Sequence, residues 1–268
     1  HHGTAGMTEG ARPAPPRKSA RPYVIALAFV SFTVFSANRV GFSIGRIADN
    51  FDKAKLLLEK FWPPDWEWAA ENVPGPMVET VQIAVLAAII GCMAALPIAF
   101  WASRLTANNR WVYYLDKGFL NVVRTIPDIF WAMLFVSAIG FGAFAGLLAL
   151  IVFSLSITGK LLSETVDSAD PGPLEAAKST GAGHTQAVQA SVLPQVLPNY
   201  VAYALYIFEL DIRASAVLGL VGAGGIGRVL EAQRAFFRFD RITAVVIVVF
   251  VIVFLIEQVS VFVRRRLV

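Results

Sequence analysis

Two features of the sequence could carry chemistry: a cluster of glycines and a few charged residues inside apolar runs. The glycines lie in VGAGGIGRVL at 221–230, where Gly222, Gly224 and Gly227 satisfy G-x-G-x-x-G. In a dinucleotide-binding enzyme this pattern follows a strand and opens the helix that holds the pyrophosphate. The preceding SAVLGLV resembles such a strand, and Asp240 follows where an acid would bind the ribose. The pattern alone leaves a nicotinamide enzyme and a structural turn both open.

The charged residues form two pairs at a spacing of four. Arg124 and Asp128 make one pair; Glu209 and Arg213 make the other, with Asp211 between them. Ionisable side chains are costly at membrane depth and therefore mark candidate functional sites. Opposite charges four apart on one helix also neutralise each other, which is the role we expect for the acids. For the arginines, pairing and anion binding remain equally open, since a guanidinium matches a phosphonate or phosphate geometrically.

The composition excludes most catalytic classes. Of the 268 residues, 56% are apolar and only 16% are charged, whereas about a quarter is charged in soluble domains, so much of the surface is expected to face lipid. One cysteine, Cys92, and one histidine beyond the opening residues, His184, argue against a disulfide framework and a metal site. No G-x-x-x-x-G-K-[ST] motif for ATP occurs. We predict no catalytic residue, no metal and no nucleic-acid partner.

About six segments are apolar enough to cross a bilayer, which takes about 20 residues of helix. They lie at 23–37, at 77–101, twice within 115–162 with a turn at Gly140 and Gly142, at 196–220 and at 242–263. A span follows the glycine-rich segment where a dinucleotide fold would continue with a βαβ unit, so the dinucleotide interpretation loses its context. The predicted fold is an all-α, polytopic membrane helix bundle.

Basic residues predict the orientation of this bundle. They cluster before the first span and again at 264–266 after the last, which places both termini in the cytoplasm. The segment 163–194 is then cytoplasmic, and FDKAKLLLEKFW, within 49–71, is an external interfacial helix. Residues 1–21 are interpreted as a tag remnant, HHGTAG, and a disordered tail, and residues 22–268 as the membrane domain.

The segment DPGPLEAAKSTGAGHTQAVQASVLPQVLP at 170–198 predicts two short cytoplasmic helices. Pro173 suits the first turn of one helix, Gly181 interrupts it, and Thr185 is expected to cap the second. Ala176 and Ala177 are expected to expose a flat surface that permits close approach. From these residues alone, an ordinary amphipathic loop and a docking site are equally plausible.

This segment resembles the EAA loop in permease subunits of binding-protein-dependent ABC importers. The family pattern is E-A-A, three residues, G, nine residues and I-x-L-P. The matching residues are Glu175, Ala176, Ala177, Gly181, Leu193 and Pro194, while Ser191 replaces the isoleucine. The resemblance implies that the loop carries a coupling helix that seats in a groove of the ATPase subunit.

A longer resemblance points to phosphonate importer permeases. It covers SVLPQVLPNYVAYALYIFELDIRASAVLGLVGAGGIG at 191–227 and RTIPDIFWAMLF at 124–135. Methionine importer permeases share G-A-G-G, so a methionine or other small-solute permease remains the alternative; an autonomous channel would leave the docking motif unexplained. The resemblance implies that the glycines form a periplasmic-side turn, and those concerned are Gly222, Gly224, Gly225 and Gly227.

The resemblance further implies a non-enzymatic transport subunit in the bacterial plasma (inner) membrane. It would pass phosphonate, with phosphate and phosphite as further candidates, from an external binding protein into the cytoplasm. No cofactor is expected in this chain, because ATP and Mg would bind two copies of a separate ATPase. A second copy of the chain would complete the pathway, and the candidate pathway residues are Arg124, Asp128, Glu209 and Arg213.

Overall fold

The structure is a computed structural model that describes residues 21–43, 45 and 49–267. The tail predicted for residues 1–21 lies outside the described residues, except for Arg21, at which the first helix begins. The described residues divide into two compact units, those up to residue 57 and those from residue 58 onward. In the first unit, α1 spans Arg21–Val40. The helix α2, Phe51–Glu59, begins in that unit where an interfacial helix was predicted and ends two residues beyond it.

The regular elements of the described residues are all helical, which confirms the predicted fold class. The second unit contains α3 (Trp66–Asn72), α4 (Pro74–Trp101), α5 (Arg110–Thr125), α6 (Asp128–Ile139), α7 (Ala143–Asp167), α8 (Gly172–Ser179), α9 (His184–Ser191), α10 (Leu193–Leu218), a 3₁₀ turn (Gly219–Val221), α11 (Gly225–Ala235) and α12 (Phe239–Leu267).

Four described helices are long and apolar enough to cross a membrane: α1, α4, α7 and α12. The helices α5 and α6 pass the same test together, as a pair bent by 86°, and would make a fifth crossing. The remaining predicted span corresponds to α10, which has 26 residues and is long enough to cross. Its apolar character is reduced by Glu209, Asp211 and Arg213, which all lie within it.

The bend between α5 and α6 has a local cause in Pro127. A proline ring disfavours helical geometry in the residue before it. Ile126 accordingly has extended backbone angles, φ −81° and ψ 125°, and ends α5. A new helix starts at Asp128, so the third predicted crossing is broken in its middle rather than continuous.

The centre of the second unit forms where α4, α7 and α10 pack together, with α5 alongside. At Gly91 of α4, a Cβ atom would lie 3.0 Å from the carbonyl oxygen of Ile151 in α7. At Gly159 of α7, a Cβ atom would lie 2.9 Å from Leu120 of α5. Small residues thus permit the close helix packing that membrane bundles use in place of a solvent-driven core.

The helix α4 contacts the glycine-rich segment near its first residues and the EAA segment near its last residues. Near its first residues, Glu79 and Thr80 accept hydrogen bonds from Gly225 and Ile226 in the glycine-rich segment. Near its last residues, Ala99 joins a buried cluster that includes the EAA helix α8. The glycine turn and the EAA segment therefore lie at opposite ends of the unit.

A short helix closes the end that carries the glycine turn. The Asp65 carboxylate accepts the Trp68 N–H at 3.0 Å and so caps α3. The Arg241 guanidinium at the start of α12 lies 3.2 Å from the same carboxylate. The Trp68 N–H, and after it Arg241, hold the pKa of Asp65 below its usual value. These contacts attach α3 to α12.

Candidate functional site

The first helix of the EAA segment forms as its prolines and glycine predict. The Gly172 N–H donates to Asp170 Oδ1 over 2.9 Å, which closes the turn before α8. Pro173 lies in the first turn of the helix, where its missing N–H removes no intrahelical bond. The helix then runs to Ser179.

A glycine turn leads into the second helix of this segment. Gly181 has a φ of 86°, a conformation that strongly favours glycine. The prediction that Thr185 caps α9 is wrong, because the helix begins one residue earlier, at His184. Gly183 takes the cap position, and its N–H donates to Gln186 Oε1 at 3.4 Å. Glycine is an acceptable cap since it adopts the required extended backbone freely.

The helix α8 has a buried side and an exposed side. Leu174 is only 2% exposed and packs into a cluster with Ala99, Leu162, Val166, Ala187, Val192 and Val196. Glu175 and Ala176 are exposed. Ala177 is half-buried and packs against the cluster, so the prediction of a flat surface formed by both alanines is wrong for Ala177.

A glutamine that the sequence analysis did not single out joins the EAA segment to α10. Gln195 Oε1 accepts the Asp170 N–H at 3.0 Å, and Gln195 Nε2 donates to the Asp170 carbonyl at 3.3 Å and the Ser191 carbonyl at 2.8 Å. Gln195 follows half-buried Leu193 and exposed Pro194 in the first turn of α10. From the sequence, only the position of this glutamine within LPQVLP could have indicated its contacts with the EAA segment.

A second set of polar contacts joins the end of α7 to the α4–α5 loop. Asp167 accepts three hydrogen bonds, from the Ser103 hydroxyl at 2.7 Å, the Arg104 N–H at 2.6 Å and Lys117 Nζ at 3.2 Å. His184 of α9 contacts the same loop, with Nε2 2.8 Å from the Thr106 carbonyl oxygen. The EAA segment is thus attached to the ends of α4, α7 and α10 by polar as well as apolar contacts.

The pair Arg124 and Asp128 differs from its prediction. The two residues do not share a helix, because Pro127 separates the last turn of α5 from the first residue of α6. Neither side chain forms an ion pair with any residue that the structure describes. Both line one cavity of about 280 Å³ at the bend.

The pair Glu209 and Arg213 forms the ion pair expected from its spacing on one helix. The side chain of Glu209 is only 6% exposed and also lies 3.5 Å from Arg264 of α12. Arg213 is about half-exposed and lies 3.3 Å from Glu257 of α12. The pair is therefore part of a four-residue network, with equal numbers of acids and arginines, that links α10 to α12.

Asp211 has a partner that the sequence did not indicate. The residue is fully buried, with Oδ2 2.8 Å from Ser154 Oγ and with Oδ1 lacking a hydrogen-bond partner. Ser154 Oγ also lies 2.7 Å from the Leu150 carbonyl oxygen. The Ser154 hydroxyl therefore has two acceptors within hydrogen-bond distance, one on its own helix and one on α10. The 57 positions between the two residues left no local signal for this pair.

The glycine-rich segment at 221–230 forms a tight turn between α10 and α11. Gly222 and Gly224 have φ angles of 90° and 84°, and the Gly142 N–H donates to the Gly222 carbonyl at 2.9 Å. At Gly227, a Cβ atom would lie 2.6 Å from the Cα of Gly219. Positive φ and close backbone approach therefore account for the glycines without a nucleotide.

The first two N–H groups of α11 are bonded to side chains of α4 and are not free for a pyrophosphate. The Gly225 N–H donates to Glu79 Oε1 at 3.3 Å, and the Ile226 N–H donates to Thr80 Oγ1 at 2.8 Å. These are the groups that a phosphate would use at a helix N-terminus. The geometry therefore favours a structural turn, whose periplasmic location stays a prediction.

The charge network yields a first prediction. Arg213→Met should leave two carboxylates facing one guanidinium and lower both complex yield and uptake, because an unpaired buried acid is costly. Glu209→Gln combined with Arg213→Met leaves Glu257 and Arg264 as one pair and should recover assembly and most uptake. Thermal unfolding of the purified complex and uptake measure the two effects. Normal assembly of the double variant without uptake would instead assign Arg213 to the substrate.

The several candidate spans, the broken helix pair and the anchored EAA helix define a multi-pass membrane permease rather than an enzyme. The chain belongs to the family of binding-protein-dependent transport system inner membrane components, whose model matches residues 80–268.

Two permease proteins are similar to this chain over more than three quarters of its length. The phosphate-import permease protein PhnE of Mycolicibacterium smegmatis is 37% identical over 212 residues, which cover 79% of this chain and 40% of that protein. The putative phosphite transport system permease protein HtxC of Stutzerimonas stutzeri is 36% identical, over 78% of this chain and 77% of that protein. This chain therefore spans less than half of the first relative and about three quarters of the second.

A solved structure supports the fold alone. A chain of the MetNI methionine ABC transporter in an inward-facing conformation has a TM-score of 0.64 and 23% identity. The match covers 72% of this chain and 94% of that chain.

Proposed function

We propose that the chain is the membrane permease of an ATP-driven importer of phosphorus oxyanions, with phosphonate as the first candidate and phosphite and phosphate as the others. The observation that carries the substrate class is the 37% and 36% identity to relatives named for phosphate and phosphite transport. The methionine transporter shares 23% identity, so it supports no substrate assignment.

Coupling to ATP hydrolysis is proposed for α8. Leu174 anchors this helix in the core while Glu175 and Ala176 remain exposed, which suits a helix held by the permease and presented to a partner. Gly181 provides the turn that returns the chain to the bundle. Through Gln195 and the buried cluster, a displacement of α8 by the ATPase would reach α4, α7 and α10 directly.

The complete importer is proposed to contain two copies of this chain and two ATPase subunits, since each chain has one EAA loop. ATP and Mg would bind the ATPase subunits, and an external binding protein would deliver the substrate. The EAA segment would face the cytoplasm together with both termini. The glycine turn, at the opposite end of α4, would then face the periplasm.

Uptake into cells tests this proposal. The chain is produced with its ATPase and binding protein in a bacterium that lacks phosphonate, phosphite, phosphate and methionine importers. We expect accumulation of labelled methylphosphonate, phosphite or phosphate, but not of methionine, and a loss of accumulation when the ATPase cannot hydrolyse ATP. Accumulation of methionine alone, or accumulation without hydrolysis, would contradict the proposal.

A further inference from the structure

The cavity at the bend between α5 and α6 lies at the depth of a membrane span. Its walls include Phe153, Ser156 and Ile157, which lie near the middle of the 25-residue helix α7. The bend itself supplies Arg124 and Asp128. Broken helices at mid-membrane depth are tolerated where they line a cavity or a site, because backbone cannot be left unpaired in lipid.

One charged donor that lines this cavity has no ion-pair partner among the described residues. The Arg124 side chain is exposed and forms no ion pair with any residue in the described part of the chain. A guanidinium facing hydrocarbon is unfavourable. An anion in the cavity would accept hydrogen bonds from it.

The carboxylate of Asp128 restricts which anion fits. Asp128 is the first residue of α6, and its Oδ1 accepts the Ile129 N–H at 2.9 Å, so its carboxylate lies at the start of that helix. An ionised carboxylate only accepts hydrogen bonds. An anion without a proton would be repelled by it, whereas an anion with a hydroxyl group could donate to it.

We propose that this cavity binds a singly protonated phosphorus oxyanion on its way across the membrane. Arg124 donates to its anionic oxygens, and Asp128 accepts the proton of its P–OH group. The Ser156 hydroxyl donates to the Phe153 carbonyl at 2.9 Å, so its proton is not offered to the anion. A cavity of about 280 Å³ holds such an anion with some water, given about 30 Å³ for each water molecule.

The proposal rests on the proposed function and adds a selectivity rule to it. Methylphosphonate below its second pKa and methanesulfonate have the same shape and the same charge. They differ in the single hydroxyl group that Asp128 would recognise. The site should therefore select the phosphonate, and the selection should depend on Asp128 whereas binding as such should depend on Arg124.

The test measures direct binding to the purified permease–ATPase complex, by calorimetry and without binding protein. Wild type should bind methylphosphonate and not methanesulfonate. Arg124→Met should weaken methylphosphonate binding by about tenfold or more, as expected for a lost charged donor. Asp128→Asn, which can donate to a sulfonate oxygen, should bind both anions with similar affinity. Arg110→Met, on the exposed start of the same helix, is the matched control and should behave as wild type.

Uptake of methylphosphonate with binding protein present is measured on the same preparations. Equal wild-type binding of the two anions, absent wild-type binding, or unchanged affinity in Arg124→Met would overturn the site. If uptake persists in those cases, the proposed function stands without this site. If the wild-type complex transports no phosphorus oxyanion at all, the proposed function itself fails.

Discussion

Ala176→Trp is expected to remove most of the ATP hydrolysis that loaded binding protein stimulates, while the chain still folds and inserts. Ala176 is exposed on α8, whereas Leu174 anchors that helix in the core. A tryptophan at this position would hold the ATPase away from the helix. Overpacking of this kind costs about 1–3 kcal/mol, which corresponds to docking weakened by about 5- to 150-fold.

The control for this variant lies on the neighbouring helix. Ala190 is an exposed alanine on α9, and Ala190→Trp should retain stimulated hydrolysis if α8 alone seats in the ATPase. Ala177→Trp is unsuitable because Ala177 packs against the core and its replacement would disturb folding. Wild-type hydrolysis and uptake in Ala176→Trp would remove α8 from the coupling mechanism.

Gly227→Ala is expected to prevent recovery of the folded complex. The added Cβ atom would overlap the carbonyl oxygen of Ala216 and lie 2.6 Å from the Cα of Gly219. Both are backbone atoms, so no change of rotamer relieves the overlap and α10 must move away from α11. We expect a loss of about 3 kcal/mol or more in the free energy of unfolding, visible as aggregation or a lowered thermal midpoint.

The same substitution at another helical glycine provides the comparison. Gly118 lies within α5, and a Cβ atom there would meet no heavy atom within 4 Å. Gly118→Ala should leave the thermal midpoint unchanged or raise it slightly, because alanine stabilises a helix interior by up to about 1 kcal/mol over glycine. A Gly227→Ala variant that is as stable as Gly118→Ala would contradict the proposed close approach of α10 and α11.

Local signals made much of this fold predictable from the sequence. Apolar length predicted α4, α7 and α12, and Gly140 and Gly142 predicted the turn that precedes α7. The prolines and glycines of the EAA segment predicted its two helices. These features depend on residues close together in the chain, so pattern and turn chemistry were sufficient.

Contacts between residues far apart in the chain could not be predicted from such local signals. The contact of Ser154 with Asp211 and the contacts of Glu79 and Thr80 with the glycine turn join residues far apart in sequence. The separation of Arg124 from Asp128 was different, because Pro127 lay between them and its effect on the preceding residue indicates a helix boundary. At this position the proline is the stronger local signal, and it outweighs the spacing of the two charges.

The most direct test of the account is flux through the purified complex in proteoliposomes. Permease and ATPase are reconstituted, with loaded binding protein added to the face opposite the ATPase subunits and ATP supplied to the ATPase face. We expect methylphosphonate, phosphite or phosphate to accumulate on the ATPase face only when ATP is hydrolysed, and we expect a strong loss of this flux in Ala176→Trp. Equal flux without ATP, or in vesicles that contain this chain alone, would identify a channel and contradict the account.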